Sequence, residues 1–296
     1  MKVVEIKKFG GPEVLKIGLQ PIPTPKKNEV LIMVKAAGIN RPDILQREGK
    51  YPPPKGASDI LGLEVAGKVS KIGKDVKNIK VGDSVCALVS GGGYAEYCSA
   101  PYTQCLPIPS GLSYEEASTL PETFFTIWFN LFIKYKIKKK QKILIHGGSS
   151  GIGTTAIQIT KNFDLEIFTT IRSKKKSVKC KKLGADHVIC VNNTDFEKFV
   201  KNKTKGEGVD IILDIVGGKY VQKNINILKR NGRLINLGWL TGSNVKINLL
   251  MVMLKRLTIT GSTLRVGSIE EKEKIEKDLK KIIWPLIESK KIKPIL

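Results

Sequence analysis

Short apolar runs broken by glycine and proline fill the first 120 residues: VVEI, EVLIMVKAAGI, LEVAGKVSKI, DSVCALV and AEYCSA. Runs of that length between such breaks predict the strands of a compact, mostly antiparallel module. From about Glu122 the rhythm changes. KILIHG reads as a buried strand, GIGTTAIQITKNF as a helix, LEIFTTI as a strand, SKKKSVKCKKLG as a helix and DHVICV as a strand. VDIILDIVG, GRLINLG and LTITGST continue the series, with helical segments between them. Strand and helix alternating at this spacing mark βαβ units on a parallel sheet. The pattern therefore predicts an α/β chain in which a β-rich module precedes a doubly wound one, with no internal repeat or low-complexity tract.

A length of 296 residues suits two such domains. The opening MKVVEIKKFGGPEVLKI intersperses charges among its apolar residues and does not read as a secretory signal. The longest apolar-aromatic segment, Phe124–Ile133, is far shorter than the roughly 20 residues of a membrane span. Five cysteines, odd in number and without a CxxC pair, suit free thiols in a reducing compartment, and the expected location is the cytosol.

Charge changes the picture less than its size suggests. The formal net charge is +24, densest in KYKIKKKQK (134–142) and RSKKKSVKCKK (172–182), and a polyanion partner is the first thought. Yet only seven of the 51 basic residues are arginine, the side chain that bidentate phosphate and base recognition favours. Lysines spread along the whole chain read as solvated faces, so nucleic acid is retained only as an alternative partner.

The candidate chemistry begins where ILIH runs into Gly147, Gly148, Gly151 and Gly153, followed by TTAIQI at helical spacing. In this strand, glycine turn and helix, backbone amides can approach a pyrophosphate at the positive end of the helix. The candidate cofactor-binding residues here are Gly148, Ser150, Gly151, Ile152 and Gly153. About 20 residues on, an acid would normally hold the ribose 2′-hydroxyl of NAD. Here the chain reads Thr170-Ile171-Arg172-Ser173-Lys174-Lys175-Lys176, without a carboxylate. Arg172, Ser173 and Lys176 are placed to pair with a 2′-phosphate, so NADP(H) is the expected cofactor. GGSSGIG also fits the turn of short-chain dehydrogenases, but those open with the motif and carry YxxxK downstream. In this chain the motif follows about 145 residues, and the YxxxK from Tyr135 to Lys139 lies upstream of it in a basic loop.

Several segments together resemble the quinone oxidoreductase branch of the zinc-free medium-chain dehydrogenases/reductases. They are FGGPEVL (9–15), AAGINRPDILQREGKYPPPKGAS (36–58), ILGLEVAGKVSKIG (60–73), VGDSVCAL (81–88), GGGYAEY (91–97), the glycine turn, KLGAD (182–186), DIILDIVGG (210–218) and NGRLINLG (231–238). The resemblance implies a GroES-like catalytic domain over 1–122, a Rossmann domain over 123–264 that binds NADP(H), and a return to the catalytic domain over 265–296. Zinc alcohol dehydrogenases carry a ligand Cys after the turn and a His in GHE, where this chain has Asn40 and Leu63. Neither can serve, Cys98 and Cys105 are too few for a structural zinc lobe, and His146 and His187 join no cluster. The expectation is no metal.

Without zinc, a substrate carbonyl must be polarised by hydrogen-bond donors. The resemblance assigns that work to Asn40 and to Tyr51, whose loop is stiffened by three following prolines. It also places Thr126, Gly238, Leu264 and Arg265 around the nicotinamide. Val191 stands where the family often has a tyrosine near the cofactor ribose, and the chain stops at KIKPIL, about where the family continues into its last catalytic-domain strand and helix. The implied activity is NADPH-dependent reduction of a quinone. The alternatives are reduction of a 2-alkenal or enoyl substrate, and a nucleic-acid-binding protein that keeps the Rossmann fold. A homodimer is expected from the resemblance, with KRLTITGSTLR (255–265) as its contact segment.

Overall fold

The run EVLIMVKAA forms a strand whose Val30, Leu31 and Ile32 are all buried, because the sheet it joins is covered on both faces. The computed structural model describes residues 1–296 and separates into two units, Met1–Trp128 with Leu264–Leu296, and Phe129–Thr263. In the first unit, β1 (Lys2–Ile6) and β2 (Leu15–Leu19) pair as an antiparallel ribbon. β3 (Glu29–Ala37) leads into a short helix α1 (Arg41–Arg47), then β4 (Glu64–Ile72), β5 (Ser84–Leu88), β6 (Tyr97–Pro101) and β7 (Cys105–Pro107). The five strands from β3 to β7 make one wholly antiparallel sheet in the order β6-β3-β4-β5-β7. Val30, Ile32, Val65, Val69, Val85, Ala87 and Ala100 fill its core. Two helices follow, α2 (Tyr114–Ala117) and α3 (Pro121–Trp128), the second opened by a proline whose missing N–H costs nothing at that position.

The second unit alternates strand and helix throughout: β8 (Lys142–His146), α4 (Gly151–Asn162), β9 (Glu166–Ile171), α5 (Ser177–Lys182), β10 (His187–Cys190), α6 (Phe196–Lys203), β11 (Val209–Asp214), α7 (Tyr220–Ile227), β12 (Leu228–Asn236), α8 (Leu249–Leu254) and β13 (Thr258–Gly261). All six strands run parallel in the order β10-β9-β8-β11-β12-β13. The chain therefore moves outward from β8 in one direction and returns to β8's other side with β11. In open parallel sheets such a reversal marks the end of the sheet, beyond the carboxyl ends of the strands, at which ligands bind. Leu144, Phe168, Ile212 and Leu234 from four strands meet Val200, Val221 and Ile225 from the helices in a buried core.

The chain then returns to the first unit as α9 (Ile269–Asp278) and α10 (Trp284–Glu288). Trp284 Nε1 donates to the Pro107 carbonyl at 2.7 Å and Trp128 Nε1 to Asp278 at 3.0 Å, tying these helices to the sheet unit. No helix is long and apolar enough to cross a membrane.

Local structure differs from expectation in instructive places. The basic segment expected as one helix from Ser173 splits into a 3-10 turn, Lys174–Lys176, and α5. Its lysines repel one another at helical spacing, and none of the negative charge that stabilises a helix start is present. GRLIN extends backward into a strand that begins at Leu228, bulged against β11 and carrying Asn231 at φ 62°. β2, β7, α1, α2, α3, α9 and α10 are additions to the expected set.

Candidate active site

Polar groups converge in each unit separately. In the second, β8 ends at His146 and the chain turns through Gly147, at φ 75°, into α4. Ser150 caps the helix: its Oγ accepts from Gly153 N at 3.0 Å and donates to the Gly147 carbonyl at 2.7 Å. Two glycines are required by space. A Cβ on Gly148 would lie 2.0 Å from Thr169 Oγ1, and one on Gly153 would lie 2.2 Å from the Gly147 carbonyl oxygen. The turn is thus pressed against both β9 and its own helix. The amides of Gly151 and Ile152 stand in the first turn of a 12-residue helix, ahead of any carbonyl they could reach within it. With the helix dipole behind them, these amides could hold an anion.

One strand over, β9 ends at Ile171, and Arg172, Ser173 and Lys176 follow it, all exposed. Their charge and hydroxyl are available to a phosphate at the carboxyl edge of the sheet, and no acid intervenes between Thr170 and Lys176. Gly238 follows β12 beside the β11 exit, where a Cβ would come 3.3 Å from the Ile215 carbonyl.

Beneath this edge lies a buried polar chain not anticipated from the sequence. Gly147 N donates to Thr170 Oγ1 at 3.2 Å, and that hydroxyl sits 3.0 Å from His146 Nδ1. His146 Nε2 is 2.8 Å from Asn224 Oδ1, whose Nδ2 donates to Asp214 Oδ2 at 3.0 Å. The other carboxylate oxygen of Asp214 accepts from the amides of Val216 and Gly217 at 2.7 and 3.1 Å. His146, Asn224 and Asp214 are each fully buried. Since Asn224 spends its N–H on Asp214, its oxygen must accept, so His146 carries its proton on Nε2 and accepts from Thr170 on Nδ1. Burial holds the imidazole pKa below its ordinary value. The sequence signal for this network was a histidine at the end of an otherwise apolar strand.

In the first unit, Asn40 precedes α1. Its amide N–H donates to Asp43 Oδ2 at 2.8 Å and its side-chain Nδ2 to Glu64 Oε1 at 2.7 Å. Glu64 Oε2 accepts the backbone N–H of Glu122 at 2.8 Å. Asp43 also receives the Tyr94 hydroxyl at 3.0 Å and the Gly62 amide at 3.1 Å. Burial pushes the Asp43 carboxyl above its ordinary value, against these hydrogen bonds.

Tyr51 is half-buried, with the Arg265 guanidinium 5.3 Å from its ring centre. Desolvation raises its pKa, so its hydroxyl stays a donor. Arg265 is only 8% exposed and its donors are committed: Nε to the Ser90 carbonyl at 2.9 Å, one Nη to Gln46 Oε1 at 2.8 Å and the other to the Tyr51 carbonyl at 3.5 Å. Lys272 donates to the Arg265 carbonyl at 3.1 Å. The expected nicotinamide neighbour thus binds the Tyr51 loop with its side chain, a role no local sequence signal could reveal. Leu264 beside it is buried, and Thr126 lies half-buried on α3.

Leu63 packs in the core at 2% exposure, and His187 pairs with Glu166 Oε1 at 3.0 Å while stacking on Phe168. No group of three or more His, Cys, Asp or Glu side chains converges on a point that could hold a metal ion.

Residues 26–110 match the alcohol dehydrogenase GroES-like domain and residues 151–282 the zinc-binding dehydrogenase domain. The chain is 30% identical to the quinone oxidoreductase of Sus scrofa over 92% of its own length and 82% of that protein's. Highly-reducing polyketide synthase 1 of Aureobasidium melanogenum is 33% identical over 71% of the chain, which spans only 10% of that protein. Among solved structures, the Escherichia coli quinone oxidoreductase complexed with NADPH aligns with a TM-score of 0.88 at 30% identity, covering 100% of this chain and 90% of that one. The CurK enoyl reductase aligns with a TM-score of 0.87 at 27% identity over 100% and 90%. Both the two sheets described above and these likenesses lead to one assignment: the chain belongs to the quinone oxidoreductase branch of the medium-chain dehydrogenase/reductase family of oxidoreductases.

Proposed function

We propose that the protein is an NADPH-dependent quinone reductase that works without a metal ion. The observation that carries the cofactor assignment is the pairing of a glycine turn that a Cβ would obstruct with an exposed Arg172-Ser173 and Lys176 at the exit of β9. Gly151 and Ile152 amides receive the pyrophosphate, and the three β9-exit side chains receive the 2′-phosphate. A carboxylate at that exit would favour NADH instead.

NADPH, when bound, supplies the reducing equivalents. The protein's own part is to hold the substrate and to stabilise charge on its oxygen. Asn40 and the Tyr51 hydroxyl are the donors for that oxygen, Asn40 fixed by Glu64 and the Tyr51 loop by Arg265. Donors already oriented before reaction lose no free energy to reorganisation when charge develops. Asn40 and Leu63, at the positions where zinc-dependent relatives carry ligands, support the metal-free reading. The four cysteines that are buried and the fifth, half-buried, are all free thiols, in keeping with a reducing cytosol.

A homodimer is part of the proposal. β13 is the open edge of the parallel sheet, all four of its residues are exposed, and Leu249, Leu250, Met253 and Leu254 of α8 expose apolar side chains nearby in the sequence. An uncovered strand edge with an apolar neighbour is a ready pairing surface.

The likeness to the CurK enoyl reductase supports a second reading, reduction of an activated carbon–carbon double bond, which needs the same cofactor and the same oxygen donors. Initial rates of NADPH oxidation with an ortho-quinone, a para-quinone and a 2-alkenal separate the two. The quinone reading expects kcat/KM for a quinone to exceed that for the alkenal by about tenfold or more, a gap of about 1.4 kcal/mol in transition-state stabilisation. The reverse order replaces it with the enoyl reading.

A further inference from the structure

Glu64 is a buried carboxyl that meets no cation. It is 2% exposed on β4 and makes two side-chain hydrogen bonds, Oε1 with Asn40 Nδ2 and Oε2 with the Glu122 amide. Gly38 makes room for it, since a Cβ there would lie 2.0 Å from Oε1. The titratable groups facing it are Asp43 from α1, the Glu122 side chain from α3, Cys86 from β5 and Tyr94 from the loop before β6. The nearby buried cations act elsewhere: Arg265 on Asp43 and Glu122, and Lys272 on Glu122.

We infer that Glu64 is a positioning residue whose protonation decides which edge of the Asn40 amide is offered to the substrate. The inference rests on the reading that Asn40 donates to a substrate oxygen. Oε2 accepts the Glu122 N–H, and the proton on a neutral Glu64 is placed on Oε1, where it meets an acceptor in the Asn40 carbonyl oxygen. When Oε1 is charged, Asn40 must give it an N–H, as observed. When Oε1 is protonated it donates to Asn40 Oδ1 instead. The amide turns over, giving up the capping contact of its oxygen with the Asp43 backbone N–H, and both its N–H groups become free to donate. Desolvation, reinforced by Glu122 and Asp43, pushes Glu64 up to about 8, so the exchange falls in the neutral to alkaline range. Below it the site offers donors to a substrate oxygen. Above it one donor is withdrawn and a carbonyl lone pair takes its place.

The experiment is a profile of kcat/KM for NADPH-dependent quinone reduction from about pH 6 to about pH 10 in wild type, Glu64→Gln and Asn40→Ala. Wild type is expected to lose about tenfold across an apparent pKa near 8. Glu64→Gln donates permanently to Asn40 Oδ1 while its oxygen keeps the Glu122 amide, and its profile is expected to be flat within about twofold. A Glu64→Gln profile that titrates like wild type, or a wild type that is flat, overturns the inference. If Asn40→Ala retains wild-type kcat/KM, the reading of Asn40 as a substrate donor fails rather than the switch alone.

Infrared difference spectra of the cofactor-free protein give a readout independent of turnover, and of whether Glu64→Gln folds. A neutral carboxyl stretch should be present at about pH 6.5, fade as pH rises through about 8, and move in frequency in Asn40→Ala. Absence of such a band in wild type overturns the inference equally.

Discussion

The imidazole of His146 and the carboxylate of Asp214 are joined through one intervening side chain, the amide of Asn224. This linkage ties the glycine turn after β8 to the backbone that leaves β11, on the two sides of the switch point in strand order. Replacing Asn224 with Leu leaves a buried imidazole N–H and a buried carboxylate each short of a partner. The expected cost is about 2–4 kcal/mol of unfolding free energy, with weaker NADPH binding because both ligand-facing turns lose their common brace. Urea unfolding and NADPH titration of the same variant check both. Retained stability and affinity would mean that the network is incidental to the turn.

Opposed pH dependences follow from the buried groups of the two units. The folded pKa of His146 lies below its ordinary 6.5, so its contribution is complete above that value and is lost as pH falls through the lower folded pKa. Glu64 behaves in the opposite sense. Its folded pKa is raised from 4.5 to about 8, so its contribution is complete below 4.5 and is lost as pH rises through about 8. Thermal midpoints followed from about pH 5 to about pH 9 should therefore decline on the alkaline side in wild type, and decline less in Glu64→Gln. Parallel curves for the two proteins would remove Glu64 as the source.

Gly153→Ala tests the close packing of the glycine turn. Its Cβ would enter within 2.2 Å of the Gly147 carbonyl, a backbone atom that cannot step aside as a flexible side chain can. Either the helix start or the turn must move, and the expected loss is about 2 kcal/mol of stability or more, with at least about tenfold weaker NADPH binding. Calorimetry with and without NADPH reads both quantities, and an unperturbed variant would show that the turn has slack.

The dimer proposal is tested at the exposed edge. Ile259 lies within β13 and is 38% exposed. Ile259→Lys sets a charge along the strand that would pair with its copy. Light scattering should report about twice the chain mass of 32.7 kDa for wild type and the single-chain mass for the variant. A wild type that is already monomeric disproves the interface.

What the sequence revealed follows how local each feature is. The β8 strand, the turn and the α4 helix are written in consecutive residues, as are the cations after β9, so periodicity and turn chemistry suffice for them. Arg265 is different. It was expected beside the nicotinamide, yet its partner Gln46 lies 219 positions away, and nothing nearby in sequence announces that pairing. Glu64 sits in a run, GLEVAG, that reads as a buried strand, and only tertiary packing shows that its carboxyl meets Asn40, 24 positions upstream. His146 likewise becomes part of a network only when Asn224 arrives from α7, 78 positions on. β2 is not legible in this way, because Leu15, Ile17 and Leu19 alternate on a strand whose apolar side is exposed, so burial gives no reason for their pattern.

Whether the β9 exit of an NADPH-linked reductase reads the 2′-phosphate is decided by the ratio of NADH to NADPH dissociation constants. It is measured in wild type and in the combined Arg172→Ala, Ser173→Ala and Lys176→Ala variant. NADPH is expected to bind wild type at least about 100-fold more tightly than NADH, and the variant to lose most of that preference while NADH affinity changes less than about threefold. Equal affinities in wild type, or equal losses for both cofactors in the variant, would contradict that role.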